Sequence, residues 1–130
     1  MSLLEIKNLE IQFPSRKSTL TAVDNVSLSV DQGDILGIVG ESGAGKSTVG
    51  NALISLLEPP GLMTNGEIYL EGQRIDNLPD SEKQKIRGKK IGMIFQDPLT
   101  SLNPLQTIET QLVETIDLHL QLGEEKAKER

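Results

Sequence analysis

Apolar residues fall along this chain in three patterns, and each pattern predicts a different kind of element. Leu4, Ile6, Leu9, Ile11 and Phe13 alternate with polar residues and slip phase once, at Lys7 and Asn8. That pattern predicts an edge-type antiparallel strand carrying a β-bulge. Residues 14–18 read as a polar loop. Val26, Leu28 and Val30 then mark a second strand, closed by the turn Asp31-Gln32-Gly33-Asp34. The runs 35–39 and 91–95 are apolar without alternation, as in short parallel strands buried on both faces. A helical period follows the first run: Val49, Ala52, Leu53, Leu56 and Leu57 share one face, and Pro59 with Pro60 should stop that helix.

Residues 61–65 read as a loop into a strand over 67–71, with Ile68 and Leu70 pointing one way. A short helix is expected after Pro79, with Asp80 or Ser81 as its N-cap. Residues 96–104 form a loop with two prolines. Ile108, Leu112, Ile116 and Leu120, at steps of four, predict an amphipathic helix over 107–120, and Gly123 suits its stop. Residues 124–130 hold six charges in seven positions, which fits a solvated tail or the opening of another helix. Together these elements give an α/β chain with an antiparallel β edge, parallel core strands and helices.

The chemistry concentrates between the apolar run 35–39 and the helix after it. Gly40-Glu41-Ser42-Gly43-Ala44-Gly45-Lys46-Ser47-Thr48 matches G-x-x-x-x-G-K-[ST] in a strand–loop–helix setting. Glycines let successive backbone N–H groups converge on one anion. The helix behind them offers its unpaired first amides and the positive end of its dipole to phosphate. Lys46 adds a full charge within reach of the β- and γ-phosphates, and the Ser47 hydroxyl suits Mg²⁺. The stretch reads as a nucleotide-binding P-loop.

Composition narrows the setting. With 130 residues the chain has one domain's length. Thirteen basic against nineteen acidic side chains leave a net charge of −6, which argues against a nucleic-acid partner. There is no cysteine, so disulfides and thiolate metal sites are excluded. No signal-peptide pattern opens the sequence, and no apolar run approaches the ~18 residues that span a bilayer. A soluble, intracellular protein is expected. Internal repeats are absent from the sequence.

In order, Phe13, Ala22-Val23-Asp24-Asn25-Val26-Ser27, the P-loop, and Ile94-Phe95-Gln96-Asp97-Pro98 resemble the ATP-binding subunit of an ABC transporter. The wording Phe95-Gln96-Asp97-Pro98-Leu99-Thr100-Ser101-Leu102-Asn103-Pro104 is similar to bacterial oligopeptide and dipeptide importer ATPases, a group that includes nickel importers. The resemblance implies ATP and Mg²⁺ as cofactors. It makes Phe13 the A-loop aromatic that stacks on adenine, with Val23 beneath it; a core-facing end of the first strand is the other reading of Phe13. It makes Gln96 the Q-loop glutamine, a Mg²⁺ ligand that joins Lys46 in the catalytic apparatus. The partners it implies are a second ATP-binding subunit and membrane permease subunits docking near the Q-loop, at the cytoplasmic side of the bacterial inner membrane. Leu99, Leu102 and Leu105 would belong to that docking surface, unless they pack on the following helix.

The family pattern continues with a Leu-Ser-Gly-Gly-Gln-type signature, a Walker B Asp, a catalytic Glu and a switch His, none of which matches in these 130 residues. The single histidine, His119, belongs to the amphipathic helix, where a surface or core-edge place is expected. Asp97 after an apolar run imitates Walker B, and would serve if this were a small self-contained P-loop kinase or NTPase. The sequence therefore reads as an N-terminal portion of an ABC nucleotide-binding domain. A nucleotide-binding module without turnover is the competing reading.

Overall fold

In the computed structural model, which describes residues 1–97 and 99–130, the first alternating run becomes β1 (Ser2–Pro14). It pairs antiparallel with β2 (Thr19–Asp31) on one side and β3 (Leu62–Leu70) on the other, and β4 (Gln73–Arg74) extends the sheet in the order β2-β1-β3-β4. The strand expected at an edge is thus interior. Alternation reports that one face is buried and says nothing of how many strands lie alongside.

The phase slip is a bulge. Ile6 faces Leu28 and Leu9 faces Val26, three steps on β1 against two on β2, and the same offset recurs against β3. Asn8 takes up the extra residue at φ 49°, and its side-chain amide donates to Asn25 Oδ1 at 2.8 Å. Gly66 faces the bulge at φ 106°, where a Cβ would lie 2.7 Å from Leu9 Cα. Past the bulge the alternation resumes in phase, so Ile6, Leu9 and Ile11 all enter one core with Val23 and with Val49 and Ala52.

The last two belong to α1 (Lys46–Leu53), which ends earlier than its apolar stripe. Ser55 adopts φ 55°; its N–H bonds to the Ala52 carbonyl and the Leu56 N–H to that of Asn51, a Schellman stop. Leu57 still packs on the core, but Leu56 is exposed. The helix therefore stops before the two prolines are reached. Residues 61–65, expected as a loop, are largely strand: Leu62 faces Gln12, Met63 faces Ile11 and Asn65 faces Glu10.

Neither apolar run forms the expected buried parallel strand. Residues 35–39 pair with no strand among the described residues, and Ile35 and Val39 are 99% and 97% exposed. Over 91–95 the only pairing among the described residues is an isolated parallel bridge, Arg87 to Ile91, and Ile94 is 98% exposed. A parallel strand is buried by neighbours on both sides and layers on both faces. Those neighbours are not supplied by the elements described.

Two compact units divide the chain, Met1–Gln84 and Lys85–Arg130, the boundary falling within α2 (Asp80–Ile86). α2 starts at Asp80 itself, and the Pro79 carbonyl accepts from the Glu82 and Lys83 amides. In the second unit α3 (Ile108–Leu120) is capped by Thr107, whose hydroxyl accepts the Thr110 N–H at 3.1 Å. Its stop is Gln121 at φ 52°; Gly123 instead precedes α4 (Glu124–Glu129). The charged end is thus helical. It is held by the buried Ala127 and by Lys128, which pairs with Glu109 at 3.2 Å and Glu124 at 3.0 Å. Among the described residues no helix is long and apolar enough to cross a membrane.

Candidate nucleotide-binding site

The loop between residues 35–39 and α1 is shaped from within. Gly43 and Gly45 adopt φ 83° and 93°, values closed to most side chains. The Ala44 N–H donates to the Glu41 carbonyl at 3.1 Å, which closes a turn at the loop's tip. Gly45 is the N-cap of α1 and brings no side-chain hydrogen bond to it, nor is any acid present in the first turn. The first amides of a helix have no intrahelical acceptor, so this end remains suited to an anion. A Cβ on Gly45 would lie 2.6 Å from the Ala22 carbonyl oxygen, so the glycine lets the loop sit directly on β2.

Lys46 curls back over the loop. Its Nζ donates to the Gly40 and Glu41 carbonyls, both at 2.6 Å. An ammonium has three donors. Two therefore hold the loop closed, and the third is available to a phosphate oxygen. The lysine is both the loop's brace and its charge. Ser47, in the first turn of α1, is exposed, which leaves its hydroxyl open to a hard cation. Thr48 behind it is half-buried.

Of the other residues singled out from sequence, Val23 is buried and its Cγ2 would be 3.4 Å from a Cβ on Gly45. Ala22, Val23, Asp24, Ala44, Gly45 and Lys46 line a cavity of about 200 Å³. Phe13 is half-buried, packed against the core with its ring edge against Gly61. Gln96 is exposed and belongs to the second unit; Pro98, from the same motif, lies outside the described residues. Asp97 uses its carboxylate to accept the Leu99 N–H at 2.9 Å, while its carbonyl accepts the Ser101 hydroxyl. That is the work of a turn-former in a loop and not of a carboxylate at the end of a buried strand. His119 is half-buried with its ring over Gly88, a core-edge place.

A larger hollow of about 640 Å³ lies along α3 and α4. It holds none of the motif residues, and Glu109, Glu114, Asp117 and Glu124 in its lining would repel phosphate. Ala22, which the sequence offers only as part of a longer run, and Gly61 carry no role that the sequence marks. A small residue beside Val23 and a glycine after two prolines give no chemical signal of their own, and both matter through what they approach.

The family model described as "ABC transporter" matches residues 23–130. The chain belongs to the ABC transporter family. Its P-loop, sheet and α1 are those of an ABC nucleotide-binding cassette. The dimeric structure of a post-hydrolysis state of the ATP-binding cassette MJ0796, bound to ADP and Pi, superposes with a TM-score of 0.82 at 29% identity, covering 97% of this chain and 53% of that one. Among curated relatives, the oligopeptide transport ATP-binding protein OppD of Bacillus subtilis is 44% identical over 129 residues, which is 98% of this chain and 36% of that protein. The dipeptide transport ATP-binding protein DppD of Escherichia coli is 40% identical over 119 residues, 92% of this chain and 36% of that protein. The chain thus spans about a third of the length of these relatives.

Proposed function

We propose that this chain is the ATP-binding part of a peptide importer's ATPase, and that both of its units belong to one nucleotide-binding domain. The supporting observation is the loop of residues 40–48, with Lys46 braced on its own carbonyls and α1 presenting unpaired amides behind it. The names of the oligopeptide and dipeptide relatives supply the transported class. The phosphates of ATP sit against Gly40, Glu41, Ser42, Gly43, Ala44, Gly45 and Thr48, with Lys46 as the cation. Ser47 is a ligand for Mg²⁺, which when bound neutralises phosphate charge. Phe13 stacks on adenine above Val23, and Gln96 is the glutamine of the Q-loop. Leu99, Leu102 and Leu105 are all exposed and form the surface offered to a permease subunit. A second ATP-binding subunit completes the assembly, on the cytoplasmic face of the bacterial inner membrane.

The test is a titration of the 130-residue chain with Mg²⁺-ATP. Lys46→Ala removes the loop's brace and its charge together and abolishes measurable binding, whereas Lys89→Ala, on an exposed turn, leaves it unchanged. Equal affinity in the wild type and the Lys46 variant refutes the assignment. Binding without turnover is the second reading for these residues taken alone, because no Walker B Asp, catalytic Glu or switch His matches within them. Phosphate release from the purified chain should stay at background. Turnover that vanishes in Lys46→Ala would overturn this, with Asp97 the first residue to examine.

A further inference from the structure

Phe13 lies near the end of β1 opposite Leu20, its ring partly covered by the core cluster. The turn over residues 58–61 meets that ring from another chain segment. It is closed by the Gly61 N–H, which donates to the Glu58 carbonyl at 2.8 Å. Gly61 is not among the residues at positive φ, so its backbone would accommodate any side chain. What excludes a side chain is space. A Cβ at residue 61 would lie 2.7 Å from Phe13 Cε1, 2.9 Å from Cζ and 2.8 Å from the Glu58 carbonyl oxygen, all within the 3.0 Å that Cβ atoms essentially never enter. The ring edge and the turn backbone interlock. A methyl group can be added only by displacing one or both.

We propose that Gly61 is a positioning residue for nucleotide binding: its missing side chain lets the turn over 58–61 seat one edge of the Phe13 ring and so fix how the ring is offered to a purine base. This rests on the reading of Phe13 as the base-stacking residue. The ligand class is a purine nucleoside triphosphate, and the contribution belongs to its base alone. Gly61 has no part in holding the phosphates, which the Lys46 loop takes.

The experiment compares Mg²⁺-ATP with Mg²⁺-tripolyphosphate, which has the phosphates and no base, by calorimetric titration of the full chain. Gly61→Ala should weaken ATP binding about fivefold or more, the low end of what an aromatic–base stack supplies, and leave tripolyphosphate affinity unchanged. In a Phe13→Ala background the same substitution should add nothing to the ATP-to-tripolyphosphate ratio. If Phe13→Ala lowers that ratio and Gly61→Ala does not, the positioning role is refuted and the stacking role stands. If Phe13→Ala itself leaves the ratio unchanged, the stacking role is refuted and the positioning role with it. Equal weakening of both ligands by Gly61→Ala also overturns the proposal, since it marks general damage. Should Gly61→Ala lower the melting temperature too far for titration, Phe13→Leu/Gly61→Ala, which removes the ring clash, should recover part of it. No recovery would show that the Glu58 carbonyl, and not the ring, is what keeps residue 61 glycine, and would overturn the proposal.

Discussion

β1 and the stretch 35–39 both carry aliphatic residues that call for cover, yet they meet opposite fates. Leu9 in β1 is fully buried, and Val39 is 97% exposed. β1 has ladders on both sides and α1 residues packed on one face, whereas 35–39 has no paired strand among the described residues. An apolar run is therefore only a demand for cover. Whether the demand is met depends on what other segments can be brought alongside, and for 35–39 the described elements bring no pairing strand and leave Leu36 and Ile38 about half exposed. The same holds for Ile94, exposed beyond its one bridged neighbour at Ile91.

Truncations at matched residues should separate the two regions most strongly. Leu9→Ala should cost roughly 2–5 kcal/mol in urea unfolding, the range for emptying a packed core site. Val39→Ala should fall within about 0.5 kcal/mol of the wild type. Comparable losses at both sites would erase the distinction.

A smaller effect tests the polar support of the sheet. Asp76 accepts the Ile68 N–H at 2.8 Å and three hydrogen bonds from Arg74. Burial would raise its pKa, but the Arg74 hydrogen bonds, the Ile68 amide and the Arg74 charge outweigh burial and hold the carboxyl below its ordinary value. A depressed folded-state pKa gives stability that is complete above the unfolded value, about 4, and is lost as pH falls through the folded one. Asp76→Ala should therefore cost roughly 1–3 kcal/mol at pH 7. The gap from wild type should begin to narrow below about pH 4 and go on narrowing as the pH falls through the depressed folded-state value. A gap independent of pH down to 2 would show that the carboxylate's charge is not what supports the sheet.

The smallest change in stability is expected where the apolar demand is unmet. Ile35→Ser with Val39→Ser should alter unfolding by less than about 0.5 kcal/mol, while reducing concentration-dependent self-association in sedimentation. A large loss of stability from this pair would mean that 35–39 is covered in solution.

Some of this was legible from residues alone, for local reasons. The bulge at Asn8 could be read because one inserted residue shifts the phase of every apolar position beyond it. The G-x-x-x-x-G-K-[ST] pattern was legible because a phosphate cradle requires fixed residue types at fixed spacing, and in the fold Gly45 precedes α1 with Lys46 and Ser47 in its first turn. The helical stop at Ser55 was hidden, since a serine at φ 55° carries no sequence mark and two prolines nearby offered a louder signal. The interior place of β1 was hidden too, because a sheet's second neighbour leaves no trace in a strand's own alternation.

The sequence by itself determined the alternation of β1 with its bulge, the helical period of α3 and the G-x-x-x-x-G-K-[ST] pattern, since these depend on residues within a few positions of one another. The tertiary structure decided which apolar runs found cover, that Ala22 lies under Gly45, and that Phe13 meets Gly61. The last two turn on space between segments far apart in the chain: a Cβ on Gly45 would lie 2.6 Å from the Ala22 carbonyl oxygen, and one on Gly61 2.7 Å from the Phe13 ring. Such approaches are set by the register of strands and the path of a turn, and no local pattern of side chains encodes that distance.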